Sequence, residues 1–359
     1  MDALEIVHRR LRAQRLAGDA LGSPAEVVRR FGAVQAQEYA EAIWSIAQRS
    51  GHPSAASVEA AFAAGEFLRT HVLRPTWHFV APEDLRWLLA LTGPRLIKGD
   101  AGRLRQLEVT EAMIERAGEI AETVIAAAGP MTRPELRARL AAEGVEADAS
   151  QVGHIVFGLE LRGLLCSGPP EGTKQTYALL ADRVTASRDL EGDAALAELL
   201  RRYFSRHGPA TAADFAWWSG LTLTMARQGL ELCEGEFEAV EDGEGRVWHL
   251  DGAAAEPDPV EGALMLGTYD EVTVAFRDLR TVSLAGEAGR ALVVRPVFVD
   301  GRLAGTWRRK LDGDAVRVEL TLADGVASAA LEAEAERYAR HLGRGAEVAI
   351  AEGEPGAAA

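Results

Sequence analysis

The chain predicts an α+β protein on three observations: a helix-and-hairpin plan that occurs twice, a looser copy of it at the N-terminus, and a C-terminal third that alternates with period two. Residues 118–180 run as a helix, Gly129-Pro130-Met131-Thr132, a second helix PELRARLAAEG, a third SQVGHIVFGLELRGLLCSG, and a turn-rich PPEGTK leading into QTYALL. Residues 194–250 repeat the order: ALAELLRRYFSRH, Gly208-Pro209-Ala210-Thr211, AADFAWWSG, LTMARQGLELC, then strands FEAVED and RVWHL around Gly243-Glu244-Gly245. Thr132 and Thr211 stand where an N-cap hydroxyl accepts a backbone N–H, with Pro134 or Ala212 just inside the helix. Three helices followed by a two-stranded wing is the winged-helix plan. The looser copy has a helix over 3–17, Ser23-Pro24 capping AEVVRRFG, and the helix EAIWSIAQR, with residues 52–100 as an insertion.

From about residue 262 the pattern becomes that of strands: ALMLGTYDEVTVAF, ALVVRPVFVDG, RLAGTWRRKLDG and AVRVELTL, with turn pairs Asp300-Gly301, Asp312-Gly313 and Asp324-Gly325. A small β-barrel-like domain or a strongly twisted sheet follows, closed by the helix ASAALEAEAERYARHLG, with EGEPGAAA as a disordered tail. The predicted organisation is three tandem winged-helix units, 1–110, 111–188 and 189–260, then a C-terminal β-barrel-like domain over 261–350 and a tail over 351–359.

A chain of 359 residues with 48% hydrophobic and 26% charged content has room for several cores. Its N-terminus reads as an amphipathic helix, not a secretory signal, and no run reaches the roughly 20 apolar residues of a membrane span. Cys166 and Cys233 lie far apart in apolar sequence, which predicts reduced, buried thiols and a cytoplasmic protein. There is no P-loop, no dinucleotide fingerprint and no His-Glu-x-x-His, so neither cofactor nor metal is expected.

A net charge of −15 argues against a nucleic-acid partner. The charge is uneven, however: residues 1–110 hold 14 Arg and Lys against 12 Asp and Glu, whereas 111–359 hold 25 against 42. The least acidic part of the chain carries Gln35-Ala36-Gln37, between a helix-ending Gly32 and Glu38, which can open the next helix. In a helix, side chains two apart diverge; in an extended connector they share a side. Two neutral amides there can orient a water without removing its proton, which is useful only against an electrophile that is already reactive. A Gln-x-Gln triplet on its own ordinarily marks a solvated helix surface.

Context sharpens the reading. The segments GAVQAQEYAEAIWSIAQR (32–49), LRTHVLRPTWHFVAPEDLRWLL (68–89), YDEVTVAFRDLR (269–280) and FVDGRLAGTWRRK (298–310) together resemble the AlkZ-like DNA glycosylases. In that family a Gln-hydrophobic-Gln or Gln-hydrophobic-Asp triplet is catalytic and a Thr-x-His-hydrophobic-Val segment follows. The resemblance implies catalytic Gln35 and Gln37, and substrate or DNA contacts at Thr76, Trp77 and His78; read from their apolar neighbours alone, Trp77 and His78 belong to a packed strand with His78 hydrogen-bonded. It departs from the family at Ala36, where a bulkier aliphatic is usual, and at Thr273-Val274-Ala275-Phe276, where a more polar run is common.

Arg69 and Arg74 are candidate phosphate contacts, as are Arg95, Arg103 and Arg105. Tyr269 and Asp270 end a predicted strand, where the aspartate either reaches the first domain or begins a turn. Arg308, Arg309 and Lys310 form the densest basic cluster of the acidic half. Glu38 and Glu41 read as solvated carboxylates at a helix start, and Trp217-Trp218 as core. The expected function is monofunctional hydrolysis of the N-glycosidic bond of alkylated, N7-guanine-type bases, bulky or cross-linked ones included. The expected partner is duplex DNA carrying such lesions; no membrane is involved, no cofactor is needed and the chain is expected to be a monomer. A winged-helix regulator is the main alternative and an interaction scaffold a third. Against the regulator, the helix at 150–163 offers only Arg162 and that near 222–233 only Arg227 for a major groove.

Overall fold

The computed structural model describes residues 1–172, 174–252, 259–279, 294–323 and 329–352. The chain opens with α1 (Ala3–Ala13), α2 (Pro24–Phe31), β1 (Val34–Gln35), α3 (Tyr39–Arg49) and α4 (Ala55–Ala64), then β2 (Leu68–Val72), β3 (Arg74–Val80) and the long α5 (Pro82–Gln106). Next come α6 (Glu111–Ala128), β4 (Met131–Thr132), α7 (Arg133–Ala142), α8 (Ala149–Leu161), β5 (Leu165–Ser167), β6 (Thr176–Leu179) and α9 (Leu180–Arg183). They lead to α10 (Gly192–His207), α11 (Ala212–Ser219), α12 (Leu223–Leu232), β7 (Glu238–Glu241) and β8 (Val247–Leu250). The C-terminal part holds β9 (Ala263–Met265), α13 (Glu271–Val274), β10 (Pro296–Val299), β11 (Arg302–Asp312), β12 (Ala315–Leu322), α14 (Ala329–His341) and β13 (Gly345–Glu352). Two compact units result: Met1–Glu59, Leu199–Trp218 and Thr222–Ala359 form the first, and Ala60–Glu198 with Ser219–Leu221 the second.

In the second unit, α6, α7 and α8 pack on the sheet β4-β6-β5 around Ile114, Ala121, Leu136, Val152, Ile155, Leu165 and Tyr177. The start of α7 is a reciprocal cap, the Glu135 carboxylate accepting from the Thr132 N–H at 2.8 Å and its hydroxyl at 2.6 Å. β2 and β3 form an antiparallel hairpin in register Leu68↔Val80, Thr70↔His78 and His71↔Trp77.

In the first unit, the predicted cap at Ser23 forms, its hydroxyl accepting from the Glu26 N–H at 3.1 Å. Val7 and Leu11 of α1 share a core with Val260, Leu264, Leu266, Val272 and Phe298, so the N-terminal helix and the C-terminal strands bury one apolar surface. Asp300-Gly301 turns β10 into β11, with both residues at positive φ, and Gly313 at φ 53 serves the β11–β12 turn. Asp324-Gly325, the first residues of the predicted strand at 291–293, the start of the closing helix at 327–328 and the tail from 353 onward lie outside the described residues.

Three expectations change. The period-two stretch Ala263–Phe276 does not stay a strand: it is β9, then a turn with Tyr269 at φ 62, then the short helix α13. Asp270 caps that helix through the Val272 N–H at 2.9 Å, a local bond that overrides the alternation. The C-terminal strands pair in the order β13-β12-β11-β10-β9 among the described residues. The last of them in sequence follows the closing helix and pairs parallel to β12. Finally, Trp218 is interior but its neighbour Trp217 is 50% exposed, with only its indole N–H tied, to the Val274 carbonyl at 3.1 Å.

No helix among the described residues is long and apolar enough to cross a membrane. His341, whose Nδ1 donates to the Pro53 carbonyl at 2.7 Å, and His249 both titrate below the usual histidine value because burial disfavours the charged ring. Below about pH 6.5 the unfolded chain takes up those protons first, so stability will fall as pH drops from there toward the depressed folded values. Urea melts at pH 7.5 and 5.5 check this, and His341→Gln should flatten the difference.

Candidate active site

The connector between α2 and α3 is built from both ends. Gly32 closes α2 at φ 79, a conformation that carries the chain away from the helix axis at little steric cost. Ala33 through Ala36 are buried, and α3 begins only at Tyr39, with Glu38 as its uncapped start. Gln35 and Gln37 therefore sit on non-helical backbone. The Gln35 carboxamide turns back along the chain, its Oε1 accepting the Gln37 backbone N–H at 3.0 Å. Because that partner can only donate, the oxygen position of the amide is fixed, and its NH2 is without a protein partner among the described residues.

The backbone N–H of Gln35 donates to Glu271 Oε1 at 2.7 Å. Glu271 is the first residue of α13 and is 1% exposed; its Oε2 lies 3.2 Å from His207 Nε2 and 3.1 Å from the Trp218 indole N–H. The residue before it, Asp270, grips the far end of α3. Its carboxylate meets Arg49 Nη2 at 2.7 Å and Nη1 at 2.9 Å, and accepts from the Ser45 hydroxyl at 2.8 Å. Arg49 also reaches Gln14 Oε1 at 3.0 Å, and Trp44 donates to the Met265 carbonyl at 2.7 Å. Asp270, expected to touch substrate or DNA, is thus an interior residue with both oxygens engaged: it caps α13 and bonds to α3.

Glu41, one turn into α3, is buried as well. Arg295 binds it at 2.7 and 3.1 Å and Arg309 lies at 3.5 Å, while Arg309 also bonds the Tyr338 hydroxyl. This divides the expected basic cluster. Strand alternation turns Arg309 inward to Glu41 and leaves Arg308 and Lys310 exposed, opposite Glu319 and Arg317 of β12. Glu41 is likewise a paired carboxylate instead of a solvated one. Nor are all the N-terminal arginines available to phosphate: Arg10 is interior, its guanidinium 3.5 Å from the centre of the Phe276 ring and donating to the Pro209 carbonyl at 2.9 Å. Burial lowers its pKa to about 10.

Comparison with known proteins decides the family. The family model described as DNA glycosylase AlkZ-like matches residues 28–341. The chain belongs to the AlkZ-like DNA glycosylase family. A curated relative, the interstrand DNA cross-link repair glycosylase of Streptomyces sahachiroi, is 31% identical over 350 residues, covering 89% of this chain and 91% of its own length. The solved structure of the Streptomyces sahachiroi DNA glycosylase AlkZ superposes with a TM-score of 0.80 at 25% identity, covering 98% of this chain and all of that one. The protein is accordingly a DNA glycosylase, a DNA-binding repair enzyme with a mixed α+β fold.

Five further candidates of this AlkZ-like glycosylase, Arg69, Arg74, Thr76, Trp77 and His78, lie on the β2–β3 hairpin, in the other unit from the glutamines. His78 is buried, its Nδ1 donating to the Thr76 carbonyl at 2.9 Å. Trp77 is half-buried between two side chains of β2: the Arg69 guanidinium 4.3 Å from its ring and the His71 ring at 4.7 Å. Arg69 is itself buried and bonded to Gln175, and its guanidinium makes a cation–π contact with Trp77. Thr76 and Arg74 are half-buried on β3. Tyr269, in the first unit, is half-buried directly before Asp270. Of the other arginines, Arg95 donates to the Gly220 carbonyl at 3.0 Å and Arg103 to Gln106 at 3.2 Å, while Arg105 is exposed. Cys166 is no nucleophile: burial pushes its thiol up to about 12.

Sequence reasoning missed Glu271, His207 and Arg49, the polar groups that hold the glutamine connector. Signals were present: Glu271 beside Asp270 in an otherwise apolar run, and His207 ending a helix just before Gly208-Pro209.

Proposed function

We propose that this glycosylase hydrolyses the N-glycosidic bond of guanines alkylated at N7, bulky and cross-linking adducts included, and leaves an abasic site without cutting the strand. Alkylation at N7 makes the base cationic, so it departs readily and the sugar approaches an oxocarbenium ion. Such an electrophile accepts undissociated water, and amides suffice where a normal base would need a carboxylate. One observation carries the reading: the Gln35 oxygen is committed to the Gln37 N–H, which leaves its NH2 as a fixed donor. The water oxygen would accept a hydrogen bond from that NH2 and the water would donate one to the Gln37 carboxamide oxygen; once the oxygen bonds to the sugar carbon and the base has left with the glycosidic electron pair, the surplus proton passes to solvent water. The two carboxylates of α3 fit the same scheme, since Glu41 is neutralised by Arg295 and Glu38 is exposed.

The architecture that goes with this reading is three tandem winged-helix units, 1–110, 111–188 and 189–260, ahead of a C-terminal domain over 261–350. Its support is the helix–strand–helix–helix–strand–strand order from α6 to β6 and the three helices plus hairpin from α10 to β8. Thr76, Trp77 and His78 are proposed lesion contacts, and Arg74, Tyr269, Arg308 and Lys310 proposed DNA contacts, with Arg69 bracing Trp77.

The experiment is incubation with duplex DNA bearing N7-methylguanine. Breaks at the lesion that appear only after alkali are the expected result. Cleavage without alkali would overturn the monofunctional assignment, and binding without base release would overturn the substrate class.

A further inference from the structure

Resting on the assignment of Gln35 above, we infer that Glu271 is a positioning residue for it: the carboxylate that opens α13 locks the backbone from which the Gln35 amide is presented. Two bonds define that amide. One fixes the main chain, N–H to Glu271 Oε1 at 2.7 Å; the other fixes the side chain, Oε1 to the Gln37 N–H at 3.0 Å. Without the first, the second would fix only the side chain, and the Gln35 main chain would lose its tie to α13. Water-directing groups tolerate errors of only about 0.5 Å, and misplacement by about 1 Å lowers rates roughly 100-fold.

Glu271 is equipped for this task in a way that packing alone does not require. It lies 236 positions from Gln35 in sequence, is 1% exposed, and is held at its other oxygen by His207 Nε2 and the Trp218 indole. His207 Nδ1 faces the Tyr203 carbonyl at 3.2 Å, which can only accept, so Nδ1 carries a proton. The donors Trp218 and Gln35 favour the carboxylate form of Glu271, the stronger acceptor. Asp270 completes the device. Consecutive acids at one helix start secure α3 at Ser45 and Arg49 and, through Gln35, the connector that precedes it.

Glu271→Gln tests this at nearly constant shape. Both oxygens receive hydrogen bonds, so whichever way the new amide turns, its NH2 faces either the Gln35 N–H or the Trp218 indole N–H. Single-turnover release of N7-methylguanine should fall about 10- to 100-fold while affinity for the same duplex stays within about twofold. If Glu271 acts through Gln35, the change adds less than about twofold in a Gln35→Ala background, because the group being positioned is already gone. Losses that multiply, or a single variant as fast as the parent, overturn the inference. Should Glu271→Gln fail to melt cooperatively, Glu271→Asp enters the same cycle, since it keeps the charge but withdraws it by one methylene. A Gln35→Ala protein as fast as the parent would instead overturn the assignment of Gln35, and is recognised before any Glu271 variant is made.

Discussion

Base release from N7-methylguanine duplex will fall by about 100-fold or more in the Gln35→Ala, Gln37→Ala double variant, with DNA affinity little changed. The size follows from what the amides supply. On the proposed mechanism they add no proton transfer and contribute the orientation of a water at the sugar, and removing preorganised donors of this kind slows reactions by roughly 10² to 10³. The loss should lie almost wholly in the chemical step. Residual release persists because the cationic base leaves slowly unaided. The single variants should each approach the double, since a water held by one amide is no longer directed. Single-turnover kinetics with gel-shift binding decide the matter; a double variant within threefold of the parent would remove the glutamines from the mechanism.

Arg49→Ala will destabilise the first unit by about 3–5 kcal/mol, the usual cost of breaking a buried ion pair by removing one partner. Asp270 would be left with one formal charge, no guanidinium and no route to solvent, and Gln14 would lose its donor. Pairing the change with Asp270→Asn should recover part of that loss, because the stranded charge is gone. Urea denaturation gives the numbers, and equal midpoints for parent and Arg49→Ala would contradict a structural role for the pair. Base release should also weaken, since α3 and the connector ahead of it lose their anchor.

Helices and caps were legible in the sequence because their causes are local. Ser23 and Thr211 cap where expected, each hydroxyl accepting a backbone N–H, and Gly32 ends α2. The β10–β11 and β11–β12 turns follow from Asp-Gly pairs for the same reason. Alternation misled at Glu271–Val274, where a single capping aspartate turned an apparent strand into a helical turn. β13 went unread although Val348 and Ile350 alternate with Glu347 and Ala349, because a short alanine-rich strand after a helix carries little signal. The glutamine connector was found from its motif. Its supports come from positions more than 200 residues away and cannot be read from neighbours in the chain. The basic cluster at Arg308–Lys310 shows the opposite failure: one-dimensional density suggested a patch that strand pleating splits across two faces.

The parallel pairing of β13 with β12 gives the C-terminus an unexpected duty. Eight residues of β12, from Ala315 to Leu322, find their second row of backbone partners only in a strand made after α14. A nascent or clipped chain ending before Gly345 would leave that row as a bare edge, open to strands of other molecules and thus to aggregation.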